Sequence, residues 1–436
     1  MVDLKKFSGE HLTIALHRGE VDDPPIRDWA ERFYEDTGIT IDVIDVKPQE
    51  YLCQLMAGGR NRKSPYNLIA SAPIWLNQLV VPGYYEDLAY LYANRELTME
   101  ETVYGMENDF FKNYMEYAAW YDPESQMPKS GKDSMLMAVP GTHTGCQILI
   151  CRTDILNQYG LQIPETWEEF NEVVKRISQP KKGFYGTSLC GNRLGALPII
   201  DWYPRLTSQG GRQFRGTVGE RNLRSCALSE EGIRAYEWIL DILPYTPDDY
   251  IHYTLKDGER DMLQGKIGMQ INTTAFVFPD VYWDSQRSQV ADRIEAVPVP
   301  GVGKYRGVAY GGGWAWSIMA AEEKKEAAWL AAQYFSSPEF DQYRCIRYGI
   351  TPIRRSTIRN DTVRKAQPWV GCLEDIIDHA VEPEYFYLPE IYRIADIINR
   401  HLTQGIAAQR PAEKVLAELD QEVMSFCGWV DGNYSL

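Results

Sequence analysis

The chain has 436 residues, a length that suits about three ordinary domains or two large lobes, and 45 Lys+Arg against 61 Asp+Glu leave a net charge of −16. A surface of that sign repels phosphate backbones and anionic membranes, and no Lys/Arg stripe with interleaved aromatics offsets it, so nucleic acid is not an expected partner. Hydrophobic residues at 44% and charged residues at 24% exclude a disordered, fibrous or membrane-embedded chain and predict a soluble one. The longest apolar runs, such as Cys146 to Cys151, are far short of the roughly 20 residues of a bilayer span.

In chain order, strands and helices alternate. LTIAL (12–16) reads as a buried strand, and Pro24-Pro25 opens a helix with Ile26, Trp29, Ala30 and Phe33 on one face, closed by Gly38. ITIDVIDV (39–46) is the next strand, a short helix with Leu52, Leu55 and Met56 runs to Gly58-Gly59, and NLIAS (67–71) is the third strand. A helix with Trp75, Leu76, Leu79 and Val80 stops at Pro82-Gly83, giving a β-α-β-α-β-α rhythm that predicts a parallel sheet with right-handed crossovers.

Past a Ser/Gly/Lys-rich loop at 128–132, MLMAVP (135–140) and CQILIC (146–151) are strand-like. Thr166-Trp-Glu-Glu169 is a capping box opening a helix with Phe170, Val173, Val174 and Ile177. FYGTSLC (184–190) is a strand candidate, helices follow at 199–206 and 233–243, and KIGMQIN, EAVPVP and WAWSIMA complete the strands. The last hundred residues read as mostly helical, with Ile391, Ile394, Ala395, Ile398 and Leu402 on one face. No repeat and no flexible linker interrupts the chain, so two α/β lobes would be joined by more than one crossing.

Eight cysteines without a CxxC pair leave both a reduced chain and one with one or two bridges open. The opening MVDLKKFSGEH has no apolar core of a signal peptide, which fits either a cytoplasmic protein or a chain that begins after a cleavage point. HExxH, GxxxxGK[ST] and GxSxG are missing, and Gly301-Val-Gly-Lys-Tyr-Arg-Gly307 has the wrong spacing for a dinucleotide turn and no helix to open. The six histidines lack metal-ligand spacing, so neither a metal nor a cofactor is expected.

Strand ends carry the informative residues, because ligands of open α/β sheets sit beyond the carboxyl ends of the strands. Those ends read His17-Arg-Gly-Glu20, Ser71-Ala-Pro-Ile-Trp75, Gly141-Thr-His-Thr-Gly145, Gly191-Asn-Arg193, Asn272-Thr-Thr274 and Tyr310-Gly-Gly-Gly-Trp314. Tryptophan faces for C–H surfaces, with Asn, Arg, Glu and His around them, suit a sugar.

Several phrases, in register over nearly the whole chain, resemble the extracellular solute-binding proteins of bacterial ABC importers, in the carbohydrate-binding group to which maltose-binding protein belongs. They are ERFYEDTGITIDV (31–43), PYNLIASAPIWLNQLVVPGYYEDL (65–88, with Asn67 where the family usually has aspartate), VPGTHTGCQILICRTDILNQYGLQIPETWEEF (139–170), GKIGMQIN, GGWAWSI (312–318), KKEAAWLAAQYFSSPE (324–339) and PEYFYLPEI (383–391). The resemblance implies an α/β two-lobe periplasmic-binding-protein fold of type II, each lobe a mostly parallel sheet flanked by helices. It places residues 1–138 and 312–358 in one lobe and 139–311 and 359–436 in the other, with hinge crossings near 138–141, 310–313 and 349–360 and ligand held between the lobes. It further implies a monomeric, non-enzymatic receptor, periplasmic or extracellular and membrane-associated after removal of a signal peptide, which closes on its solute and delivers it to an ABC transporter permease.

Each candidate ligand contact also has a structural reading. Trp314, after Gly313 and two further glycines, either stacks on ligand, as the family's tryptophan does, or fills the core of its strand. Trp75 also fits a helix core, Trp202 lies where the family often has a stacking residue, and Arg18 and Glu20 also fit a solvated ion pair. His143, Arg193 and Asn272 are as readily turn or cap formers, the family having Asp or Asn near the last; Tyr385 packs or, with Glu384, reaches ligand, and Gln49 completes the set. Two other readings stay open: the same fold binding a polyol, a polyamine or another small polar ligand, and a glycoside hydrolase using paired carboxylates.

Overall fold

A computed structural model describes residues 2–17, 23–192, 198–274, 279–388 and 390–427. Arg18, Glu20 and Arg193 lie outside the described residues, and of Gln49 only the helical backbone is described. The strands that carry the architecture are β1 (His11–His17), β2 (Thr40–Val46), β3 (Leu68–Ser71), β4 (Val139–Gly145), β5 (Gln147–Arg152), β6 (Met269–Thr273), β7 (Ile294–Pro298) and β8 (Gly312–Ser317). The helices used below are α1 (Ala30–Thr37), α2 (Pro48–Arg60), α3 (Lys112–Ala118), α4 (Trp167–Ile177), α5 (Pro198–Thr207), α6 (Glu230–Ile242), α7 (Lys325–Tyr334), α8 (Pro338–Tyr348), α9 (Ile391–Ala407) and α10 (Ala412–Phe426).

The chain divides into two compact units, Met1–Gly145 with Gly312–Val370 and Cys146–Gly311 with Gly371–Leu436. The first division falls after β4, beyond the 138–141 stretch, because β4 pairs with β8 in the first unit's sheet. The last falls beyond 349–360, because Arg354 and Ser356 are both bonded to Asp109 of the first unit.

In the first unit the sheet order is β2-β1-β3-β8-β4. β1 pairs in parallel with β2 and β3, and β8 alone runs against both its neighbours. The carboxyl ends of β1, β3 and β4 and the amino end of β8 therefore share one edge. β3, β4 and β8 are buried along their whole length, as strands covered on both faces must be. α1 ends where expected, at Gly38, whose φ of 73° closes the helix by donating its N–H to Tyr34 O. Phe33 of α1 packs on Tyr334 and Phe335 of the α7 end with ring centroids 5.0 and 5.2 Å apart.

The second unit departs from a parallel arrangement. Its sheet is β6-β5-β7, and β5 pairs antiparallel with both neighbours. A continuous apolar run looks the same whichever way its partners run, so the strands were legible and their directions were not. α4 is capped as its sequence predicts: Thr166 Oγ1 accepts from Glu169 N at 3.2 Å and Glu169 Oε2 accepts from Thr166 N at 3.3 Å, with Trp167, Phe170, Val173, Val174 and Ile177 buried. FYGTSLC forms only single bridges at Phe184 and Tyr185. Beyond them Ser178 Oγ accepts from Gly186 N and Asp201 Oδ2 from Cys190 N, both at 2.6 Å, so side chains take the backbone donors that a ladder would use. α9 buries Ile391, Ile394, Ile398 and Leu402, and α10 packs against it. All eight cysteines are free thiols, and no helix among the described residues is long and apolar enough to cross a membrane.

One buried ion pair ties α8 to β4. Arg344 Nη2 lies 2.7 Å from Asp341 Oδ1, both side chains being wholly buried, and Arg344 Nη1 donates to Gly141 O at 2.6 Å. Arg344→Met leaves the Asp341 carboxylate uncompensated and is expected to cost about 3–5 kcal/mol. The urea midpoint should fall with the m value unchanged, and Asp341→Asn added to Arg344→Met should recover much of the loss. A single-variant loss below about 1 kcal/mol would mean that the pair holds nothing.

Candidate functional site

In the first unit the shared strand edge gathers four aromatic rings. His17 closes β1, Tyr51 stands on the first turn of α2, Trp75 follows β3, and Trp314 lies on β8. The His17 ring is 4.8 Å from Trp314, 6.2 Å from Trp75 and 6.3 Å from Tyr51. Trp75 meets Trp314 edge to face at 5.1 Å and Tyr51 at 5.2 Å. Burial pushes the His17 imidazole down to about 4, so it is neutral at pH 7. Tyr51 donates its hydroxyl to Ala15 O at 2.7 Å, which fixes that ring.

The position of Trp314 follows from Gly313. Its φ is 136°, and a Cβ there would lie 2.3 Å from His143 O, so only glycine lets β8 approach β4 this closely. The register then slips after Trp314, which pairs with His143 while Ala315 pairs with Pro140. Thr142 Oγ1, in the extra stretch, donates to Trp314 O at 2.7 Å, and Tyr114 of α3 donates its hydroxyl to the same oxygen. Tyr117 and Thr144 likewise donate to Gly312 O, at 3.2 and 3.1 Å. The tryptophan is thus held by its own backbone. His143 is wholly buried beside it.

Trp75, His143, Gly313 and Trp314 are therefore brought together. His17 and Tyr51 join this cluster although the sequence did not single them out, and each carried a signal: His17 is the carboxyl-terminal residue of a strand, and Tyr51 shares a helix face with Leu55.

In the second unit the predicted residues are more dispersed. Asn272 of β6 donates from Nδ2 to the Tyr282 hydroxyl at 3.3 Å, and that hydroxyl donates to Gln270 Oε1 at 3.0 Å. Trp202 of α5 is 1% exposed and its indole N–H donates to Gly232 O at 3.1 Å, so both face and edge are used within the unit. Tyr385 packs on Phe214 and Phe386 at 5.8 and 5.0 Å. Glu384 beside it has its carboxyl pushed up to about 7 by burial. Glu382, which the sequence did not single out, is pushed up to about 8 by the same cause while its Oε2 accepts from the Tyr387 hydroxyl at 3.2 Å.

The first unit gathers neutral aromatic rings with indole and imidazole nitrogens, and the second has amide and carboxyl groups; no group of three or more His, Cys, Asp or Glu fit for a metal ion occurs among the described residues. Residues 19–342 match the bacterial extracellular solute-binding proteins, and the chain belongs to that family. It is similar to a probable ABC transporter-binding protein of Deinococcus radiodurans, 24% identical over 260 residues, which are 56% of this chain and 58% of that protein. The chain thus spans little more than half the length of that curated relative. In fold it matches an ABC transporter solute-binding protein of Agrobacterium radiobacter K84 in complex with ribitol, at a TM-score of 0.75 and 20% identity, covering 96% of this chain and 99% of the other. It also matches maltose-bound MalE3 of T. maritima, at a TM-score of 0.73 and 20% identity, covering 95% and 99%. The family and these neighbours are binding proteins.

Glu382 yields a prediction with a definite sign. Its folded value, about 8, lies above the ordinary 4.5, so the folded state holds the proton more tightly than the unfolded one. The stability this contributes is full below pH 4.5 and is lost as pH rises through about 8. Glu382→Gln should therefore match the wild type near pH 4.5 and become the more stable of the two towards pH 9, as read from melting temperatures across that range. A difference that does not change with pH would show that the carboxyl titrates normally.

Proposed function

We propose that the protein is the solute receptor of an ABC importer and binds a neutral saccharide or polyol without transforming it. The observation that carries this reading is the cluster of Trp75, Trp314, Tyr51 and neutral His17 at one strand edge, where uncharged aromatic faces suit C–H surfaces and the indole and imidazole nitrogens suit hydroxyls. Ribitol and maltose, the ligands of the two structural neighbours, are both polyhydroxylated and uncharged. Asn272, Glu384 and Tyr385 of the second unit complete the proposed set of contacts, together with Arg18, Glu20, Gln49, His143, Arg193 and Gly313; Trp202, expected from the sequence as a stacking residue, is left out because its ring is buried and its N–H donates to Gly232 O. The proposed partner is a membrane permease, the working form a monomer, and the location periplasmic or extracellular. As the resemblance implies, binding would rotate the backbone at the crossings, expected near 138–141, 310–313 and 349–360; the compact units divide at 145/146, 311/312 and 370/371.

A cognate ligand at a hundredfold excess over its Kd should stabilise the protein by about 2.7 kcal/mol, visible as a rise in melting temperature across a panel of sugars and polyols. Trp314 is 6% exposed, so its replacement by alanine would cost about 3–5 kcal/mol of unliganded stability and blur the result. Trp314→Phe keeps a ring in place, and should shrink the ligand-induced shift while the unliganded melting temperature changes little. No shift with any sugar or polyol, combined with a shift by spermidine, would overturn the neutral-ligand reading; turnover of a bound glycoside would overturn the non-enzymatic one.

Small-angle scattering tests the rotation. The ligand that raises the melting temperature should lower the radius of gyration, and a sugar that does not bind should leave it unchanged. An unchanged radius at saturating ligand would remove the hinge from the proposal.

A further inference from the structure

In a chain of net charge −16, Arg60, Arg62 and Lys63 form no ion pair among the described residues. Several other cations of the first unit are engaged: Lys6 with Glu326, Arg32 with Glu339, Lys47 with Glu50, Lys324 with Glu10 and Lys325 with Glu86. Arg60 and Arg62 line a concavity of about 530 Å³ with Gly59, Pro82, Gly83, Tyr84, Ala320 and Ala321. All three side chains are exposed.

The backbone is shaped to form this surface. α2 ends at Arg60, and Arg62 takes a φ of 51°, a left-handed conformation that non-glycine residues adopt at a cost. Gly59 is where Tyr84 crosses the helix end, since a Cβ there would lie 2.2 Å from Tyr84 Cγ. The turn bearing Tyr84 also exposes Val81, at 56%, with Pro82 and Gly83. The nearest carboxylate along the chain from Ala321 makes no ion pair with the patch: Glu322 is buried, and its Oε1 accepts from Asn67 Nδ2 at 2.9 Å and Lys324 N at 2.8 Å. Unpaired guanidinium groups beside an exposed apolar tip and a concavity are what a protein-docking surface presents, with arginine giving bidentate recognition of carboxylates.

We infer that Arg60, Arg62, Lys63 and the Val81–Tyr84 turn form a docking surface for an acidic, carboxylate-rich segment of a partner protein. An anionic membrane is the less suitable occupant, because a flat surface would bring much of the acidic protein against like charge, whereas a short segment meets only the patch. The inference goes beyond the proposed solute binding and does not depend on which solute is bound.

The probe is a fluorescent ten-residue polyglutamate peptide, followed by anisotropy in low and high salt, with phosphatidylglycerol vesicles as a second arm. The wild type should bind the peptide and release it in high salt. The triple variant Arg60→Glu, Arg62→Glu, Lys63→Glu should weaken binding by about tenfold or more, as its charge-neutral counterpart with glutamine at all three positions should in lesser degree. Lys181→Glu with Lys182→Glu, an exposed basic pair in the second unit, should leave binding unchanged. Equal binding by wild type and triple variant, no binding by wild type, or binding to vesicles in preference to the peptide would each overturn the inference. Melting curves with the sugar and polyol panel are run on the same variants: an unaltered ligand shift separates loss of docking from loss of solute binding, and absence of any shift in the wild type would count against the proposed function alone.

Discussion

The approach of β8 to β4 at Gly313 is the constraint on which the aromatic site rests. With a φ of 136° and His143 O where a Cβ would have to stand, this position excludes every side chain, and the closeness it allows places Trp314 over His17 and against Trp75. Because Thr142 and Tyr114 both donate to Trp314 O, the ring's position follows from the backbone. Its neighbours then have little freedom. Burial among these rings in turn keeps His17 neutral, so one backbone contact accounts for both the geometry of the site and its lack of charge.

The two units handle charge differently. The first pairs Arg344 with Asp341 and Arg354 with Asp109 in its interior, meets buried Glu322 with the Asn67 amide and the Lys324 backbone N–H, and, among the described residues, leaves Arg60, Arg62 and Lys63 unpaired at the surface. The second buries carboxyls with little compensation: Glu382 and Glu384 are raised to about 8 and 7, and Asp201 to about 6 although Arg205 lies 3.8 Å away. Desolvation of that kind lowers stability at neutral pH, and a group retained at such a cost is a natural place to look for function. Glu384 was anticipated from the sequence as a candidate; Glu382, two residues before it, is buried as well.

What could be read in the chain was whatever depends on local pattern. The capping box at Thr166, the glycine stop at Gly38, the apolar stripe of α9 and the strands β1, β2, β3, β5, β6, β7 and β8 all follow from spacing and turn chemistry, which act over a few residues. FYGTSLC failed because its backbone donors found Ser178 and Asp201, partners that no periodicity reveals. Strand direction in the second unit failed for a related reason, since pairing is a property of two segments.

The candidate site divides in the same way. By itself the sequence determined that aromatic and polar residues crowd the strand ends and that a glycine run precedes Trp314, because strand ends and glycines are local features. Only the tertiary structure decided that His17, Tyr51, Trp75 and Trp314 meet, that Trp202 spends its ring and its N–H inside its own unit, and that Glu382 is buried. Those outcomes depend on which surfaces distant segments present to each other, and on the removal of water between them, which shifts a carboxyl or an imidazole by an amount that residue type alone does not contain.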